Sequence, residues 1–262
     1  MNIPISYIVL CFNDHPALDL TLKSLHNELF KEDEIILVDS SDNRDEAIAL
    51  INSKSFNCEV KTFHINPNGV FPAYNYAIKK SSKKYIQKIN SGDTLIKGSR
   101  KVIQKNLINH HEFPIHVYKQ RTTGVGSYDL IFEPTANSLW PLQSIIAKKD
   151  IFYELGFYLE DYKYNADQNF FMLARKSYKF ILFKEVLSTY DSFGISSGFN
   201  FKHCKEHFVL RRLQGYNHFL SFYFSFFSPF ARITIEKFFG SKAAFFIKSK
   251  IFNYYKNINQ NQ

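Results

Sequence analysis

Through the first hundred residues, apolar runs of strand length alternate with segments of helical periodicity, and few folds accommodate that order. The run "ISYIVLCF" (5–12) precedes "HPALDLTLKSLHNEL" (15–29), which sets Leu18, Leu22, Leu25 and Leu29 at helical spacing. "DEIILVDSSD" (33–42) predicts a second buried strand ending in Asp39, and "RDEAIALINS" (44–53) a second short helix. "CEVKTFHI" (58–65) reads as a third, less apolar strand. "PNGVFPAYNYAIKKSS" (67–82) reads as a turn at Asn68-Gly69 and then a helix, and "KKYIQKI" (83–89) as a fourth strand. Strands that alternate with helices predict an α/β protein with a parallel sheet and right-handed crossovers.

Ligands of such sheets collect at the carboxyl ends of the strands. Asp39 closes the second strand and Asp93 follows the fourth, so both carboxylates are expected along one edge. The same edge gathers Asn13-Asp14, Ser40-Ser41-Asp42, Asn66-Pro67-Asn68-Gly69 and Asn90-Ser91-Gly92. Turn chemistry accounts for any one of these residues. Several acids along one edge ask for more.

Beyond residue 110 the pattern is less regular. "FPIHVYKQRTTGVGSYDLIF" (113–132) predicts one or two strands, and "SLWPLQSIIAKKDIFYELGF" (138–157) a strand or loop before a helix. "NADQNFFMLARKS" (165–177) predicts a helix capped by Asn165, and "YKFILFKEVLSTYDSFGISSG" (178–198) two strands leading into a Gly-Ser loop. A chain of 262 residues, 45% hydrophobic and 22% charged, buries a sizeable core and excludes a disordered protein. Cys11, Cys58 and Cys204 are isolated and odd in number, which argues against a disulfide framework or a Cys-x-x-Cys metal site and favours a reducing compartment. The first apolar run has no basic leader before it and is too short to span a bilayer.

The ordered set of motifs resembles the GT-A glycosyltransferases of family 2, especially the bacterial branch that builds capsule, exopolysaccharide and O-antigen sugars. "ISYIVLCFN" with "EIILVDSSD", then "NPNGVFPAYNYAIKKSSKKYIQKINSGD", then "WPLQSIIAKKDIFYELGF", then "YKYNADQNFFMLAR" and "GISS" carry the match, across about residues 3–200. The resemblance implies an α/β fold of GT-A (Rossmann-like) type, a mixed sheet flanked by helices, forming a catalytic domain over 1–200. It implies an inverting transfer of sugar from a nucleotide-diphosphate sugar, a UDP-sugar by family expectation, to a lipid-linked or growing surface-polysaccharide acceptor. The rival reading keeps the fold as a sugar-nucleotide or glycan-binding protein without turnover.

The resemblance also assigns residues. The leaving diphosphate needs neutralising by a divalent cation, Mn2+ or Mg2+, held by carboxylate oxygens. The family places an Asp-x-Asp motif after the fourth strand. Here that segment is Ser91-Gly92-Asp93, so Asp93 is the metal ligand and one carboxylate is missing. Asp39 falls where the family binds base and ribose, with Phe12 and Asn13 lining the pocket. Gly69, Ala73 and Asn75 match the segment under the donor sugar. Asp167 is the catalytic base, on the first turn of a helix whose dipole favours the ionised form. Trp140 and Gln143 match the acceptor side, with Leu142 where a His is usual.

From Phe201 onward ten lysines and arginines face two glutamates, Glu206 and Glu236, a surplus of eight in a chain whose net charge is +9. Basic residues are interleaved with "FLSFYFSFFSPFA" (219–231) and "AAFFIKSKIFNYY" (243–255). A helical extension, 201–262, attached peripherally to an anionic membrane on the cytoplasmic face is the expectation, because nucleic-acid sites seldom need clusters of phenylalanine. Packing on the domain, or a homodimer contact, is the alternative. "HCKEH" (203–207) fits the H-x-x-E-H zinc pattern, but lacks a third ligand and reads as a solvated helix face.

Overall fold

The computed structural model describes residues 2–123, 130–136, 138–191 and 200–227, with positions 230, 231, 234 and 238. The "GISS" motif and the 243–255 segment lie outside the described residues. The described residues fall into two compact units, one over 2–123 and 130–191, the other from Asn200 onward.

The strands of the first unit are β1 (Ile5–Cys11), β2 (Glu34–Asp39), β3 (Glu59–His64), β4 (Tyr85–Lys88), β5 (Thr94–Leu95), β6 (Ile115–Thr123), β7 (Leu130–Phe132), β8 (Ile145–Lys148) and β9 (Phe180–Asp191). Its helices are α1 (His15–Glu28), α2 (Arg44–Asn52), α3 (Val70–Lys80), α4 (Ser99–Asn109), α5 (Asp150–Leu155) and α6 (Ala166–Ser177). One mixed sheet runs in the order β3-β2-β1-β4-β8-β6-β9-β5, with β7 paired to β6. The strands β3, β2, β1 and β4 are mutually parallel, as the alternation predicts, and β8 reverses direction against β4.

The near-continuous apolar runs follow from burial on both faces. On one face Ile8, Ile36, Val38 and Ile86 pack with Phe71, Tyr74 and Ile78 of α3, Phe152 of α5 and Phe170 of α6. On the other, Tyr7, Val9, Ile35 and Leu37 pack with Leu18, Leu22 and Leu25 of α1 and Ile103 and Leu107 of α4. Each fully buried leucine contributes about 2 kcal/mol. Asp14 caps α1 by accepting a hydrogen bond from Ala17 N at 3.1 Å.

Three expectations are corrected. Residues 180–191 form one long strand, β9, rather than two, because they pair along β6 and absorb register shifts opposite Val117–Gln120 without a turn. Asn165 occupies the N-cap position of α6, but its side chain makes no capping hydrogen bond. The "HCKEH" segment is no solvated face: in the second unit, α7 (Phe201–Leu213) buries Cys204, Glu206 and Leu210. Burial pushes the His207 imidazole down to about 3. Among the described residues these side chains do not converge on a metal position. α8 (His218–Phe222) and a π-helical turn, Tyr223–Phe227, follow in the same unit.

Candidate functional site

Register brings the ends of β1, β2 and β4 together. Cys11 lies opposite Asp39, and the segment after β4 continues along β1, with Ile89 N donating to Ile8 O and Ser91 N to Leu10 O. Asp39, Asn13 and Asn90–Asp93 therefore stand on one edge of the sheet.

The Asp39 carboxylate is 1% exposed. Its Oδ1 accepts from Ser41 N at 3.0 Å and Ser41 Oγ at 2.6 Å, while Oδ2 has no hydrogen-bond partner. His64 Nδ1 lies 3.6 Å from Oδ2. His15 Nδ1 meets Glu46 Oε2 at 2.8 Å, leaving a buried Nε2 without a partner. Cys11, His15 and Asp39 bring one ligand-type atom each within 4.8 Å of one another. Asn13 turns the chain with a positive φ of 51° and locks the β1 and β2 loops together: its amide pairs both ways with Asp42, and its N–H donates to Ser41 Oγ. Phe12 projects half-exposed beside it. An acceptor buried without a donor costs free energy unless a ligand supplies one.

The turn after β4 is held from below. Thr21 Oγ1 donates within 3.0 Å of Asn90 O and 2.7 Å of Asp93 O, and accepts from Gly92 N. Tyr74 donates to Asn90 Oδ1, and the Ser91 hydroxyl donates to Leu10 O at 3.0 Å. Asp93 is 2% exposed; its Oδ1 accepts from Asp191 N at 3.1 Å and its Oδ2 has no hydrogen-bond partner. Burial pushes the carboxyl up to about 7, against the opposing pull of the Asp191 amide, the Gln143 side chain, the Asn90 backbone and the Lys88 charge. A buried carboxylate short of positive charge, with an unpartnered oxygen, fits a divalent cation.

Asp167, in the first turn of α6, is buried and ion-paired through Oδ2 with Lys88, the last residue of β4. Its Oδ1 accepts from Gln168 N at 2.8 Å. The Lys88 ammonium also lies 4.8 Å from the Tyr74 ring centre. Tyr74 lies in the fields of both Asp167 and Asp93; burial first, then these charges, raise its hydroxyl well above the usual range.

The remaining predicted residues support this edge. Asn75 clamps the chain before α6, donating from Nδ2 to Tyr158 O and Glu160 Oε1, both at 2.9 Å, and accepting from Tyr158 N. Ala73 lies in the core, and Gly69 opens α3 with φ 95°. Gln143 is buried: its carbonyl accepts from Gln87, its side-chain oxygen from Gln120, and its amide bears on Asp93. Trp140 differs from the acceptor-side expectation, because its indole packs in the core against Phe180 at 4.9 Å and donates to Thr135 O. Its carbonyl nevertheless holds Gln168 beside Asp167.

Lys88 and Asp191 were not anticipated. The signal for Lys88 was a lysine inside an otherwise buried run, "YIQKI", which requires a carboxylate partner. Asp191 gave no local signal, since its contact with Asp93 spans 98 positions.

Residues 6–131 match the family model described as glycosyl transferase family 2. The match ends before Gln143, Asp167 and Asp191. Among solved structures, S. aureus TarS 1-349 in complex with UDP-GlcNAc is similar, with a TM-score of 0.67, 18% identity, and coverage of 85% of this chain and 73% of that one. The crystal structure of S. aureus TarS 1-349 gives a TM-score of 0.64 at 18% identity over 90% of this chain and 75% of that one. The mannosyltransferase PcManGT from Pyrobaculum calidifontis, in complex with GDP-Man and Mn2+, gives 0.56 at 12% identity over 82% of this chain and 63% of that one. At these identities the likeness is one of fold. A comparison with curated proteins returns no match.

Proposed function

We propose that the chain is a family 2 glycosyltransferase of GT-A fold, a reading supported by the family match over residues 6–131 and by the likeness of fold to TarS, and that it moves a sugar, with inversion, from a UDP-sugar to a hydroxyl of a lipid-linked or growing surface polysaccharide. The observation that carries the reading is the pair of buried carboxylates, Asp39 and Asp93, at the ends of the two strands that flank β1, each with one oxygen lacking a hydrogen-bond partner. Asp39 Oδ2 accepts an N–H from the base, and Phe12 and Asn13 border the same pocket. Asp93 holds a divalent cation, Mn2+ or Mg2+. When bound, the cation neutralises charge on the leaving diphosphate.

Asp167 accepts the proton of the attacking acceptor hydroxyl through the oxygen not held by Lys88. Lys88 fixes the rotamer of that carboxylate through the ion pair. Gly69 lets the chain enter α3 close to the donor sugar, and Asn75 secures the backbone on the opposite wall. Gln143 orients the Asp93 carboxylate. The test is a thermal-shift screen of UDP-, GDP- and dTDP-sugars with and without Mn2+, on wild type, Asp39→Ala and Asp93→Ala. A metal-dependent shift with UDP-sugars that Asp93→Ala removes supports the reading; absence of any donor-dependent shift in wild type overturns it.

The second unit is assigned to an anionic membrane surface on the cytoplasmic side, where the acceptor would be presented. Phe201, Phe219, Phe222 and Phe227 of this unit are all more than half exposed, in a region rich in lysine and arginine. Among the described residues no helix is long and apolar enough to cross a membrane. Co-sedimentation with phosphatidylglycerol vesicles that weakens with salt is expected, and failure to bind them at low salt would remove this assignment.

A further inference from the structure

The turn that carries Asp93 lacks the second carboxylate that cation binding at such a turn would use, since the preceding positions are Ser91 and Gly92. A second carboxylate is present, but it arrives from another strand. The antiparallel pairing of β5 with β9 matches Thr94 to Thr189. Carried two residues further, that register sets Gly92 opposite Asp191. Gly92 has φ 91°, and a methyl group added there would stand 3.5 Å from Asp191 Oδ2 and 3.6 Å from Asp191 Cβ. The Asp191 carboxylate thus lies against the space that a side chain at position 92 would enter. Its backbone N–H is also committed to Asp93 Oδ1.

We propose that Asp191 supplies the second carboxylate of the divalent-cation site, facing Asp93 across the Asn90–Asp93 turn. This rests on the reading of Asp93 as the cation anchor. The observation that points to a ligand is the buried Asp93 Oδ2, which has no hydrogen-bond partner. A hard divalent ion held by one or two carboxylates retains coordination positions for diphosphate oxygens and water. Taking the ligands from β9 and from the β4–β5 turn ties cation binding to the sheet register instead of to one short motif. It also places the second ligand immediately before the chain enters the 192–199 segment.

The experiment is a titration of the full chain with Mn2+ in the presence of UDP, following the free aqueous Mn2+ signal by electron paramagnetic resonance. Wild type, Asp93→Asn and Asp191→Asn are compared. Asp191→Asn preserves side-chain volume and the N–H that Asp93 accepts, and melting temperatures in EDTA establish that each variant is folded. Expected is a loss of Mn2+ affinity on the order of tenfold or more in Asp191→Asn, with recovery in Asp191→Glu. Wild-type affinity in Asp191→Asn, alongside lost binding in Asp93→Asn, overturns the role of Asp191 and leaves the anchor reading intact. Unaltered Mn2+ binding in Asp93→Asn, or none in wild type, overturns both.

Discussion

Lys88, the last residue of β4, and Asp167, on the first turn of α6, form an ion pair whose side chains are 7% and 9% exposed. The pair joins the strand that leads into the turn carrying Asp93 to the helix that carries the proposed base. Lys88→Met leaves the Asp167 carboxylate buried without a counter-charge, which costs about 3–5 kcal/mol of stability. Chemical denaturation is expected to show that loss, and the double variant Lys88→Met/Asp167→Leu is expected to regain most of it. A single-variant midpoint equal to wild type would mean that the pair contributes nothing to the fold.

Asp167→Asn retains the shape of the side chain but cannot take a proton. kcat is expected to fall by a factor on the order of 10²–10⁴, with the donor KM little changed. Steady-state kinetics with a responsive acceptor decides this. A variant that transfers sugar at the wild-type rate removes Asp167 from the chemistry.

Asp39→Asn replaces one acceptor oxygen with an amide that cannot accept from a base N–H. Calorimetric titration with UDP is expected to show about 10- to 100-fold weaker binding, with metal affinity unchanged. Equal weakening of GDP and UDP would show that Asp39 does not discriminate between bases.

Glu34, at the start of β2, links stability to pH. Burial alone pushes its carboxyl up, but the Lys61 ammonium and hydrogen bonds from Ser6 and Ser82 outweigh that and hold it at about 2, below the ordinary 4.5. The unfolded chain therefore takes up this proton at higher pH than the folded one. The stabilisation is fully present above about pH 4.5 and is lost as pH falls through about 2. Urea midpoints across that window are expected to fall less in Glu34→Gln than in wild type.

The parallel half of the sheet was legible because each strand is buried on both faces and so appears as an unbroken apolar run. The two strand-end carboxylates were legible for the same reason: a polar residue that terminates such a run sits at the sheet edge whatever the remaining chain does. The β6–β9 half was harder. Its strands mix polar and apolar residues, as in "VLSTYD", and Ser188 of β9 is fully buried, hydrogen-bonded to Ser144 in the turn just before β8. Trp140 could not be assigned from its type, since an indole serves a core or a sugar site equally well, and only its contact with Phe180 places it.

The sequence by itself determined the α/β order, the carboxyl edge bearing Asp39 and Asp93, and the placement of Asp167 on a helix's first turn, because these follow from local periodicity and chain direction. Tertiary structure alone decided that Lys88 meets Asp167 across 79 positions and that Asp191 meets Asp93 across 98. Such pairs depend on strand register and on how a helix packs across a sheet, and those are properties of the whole buried core.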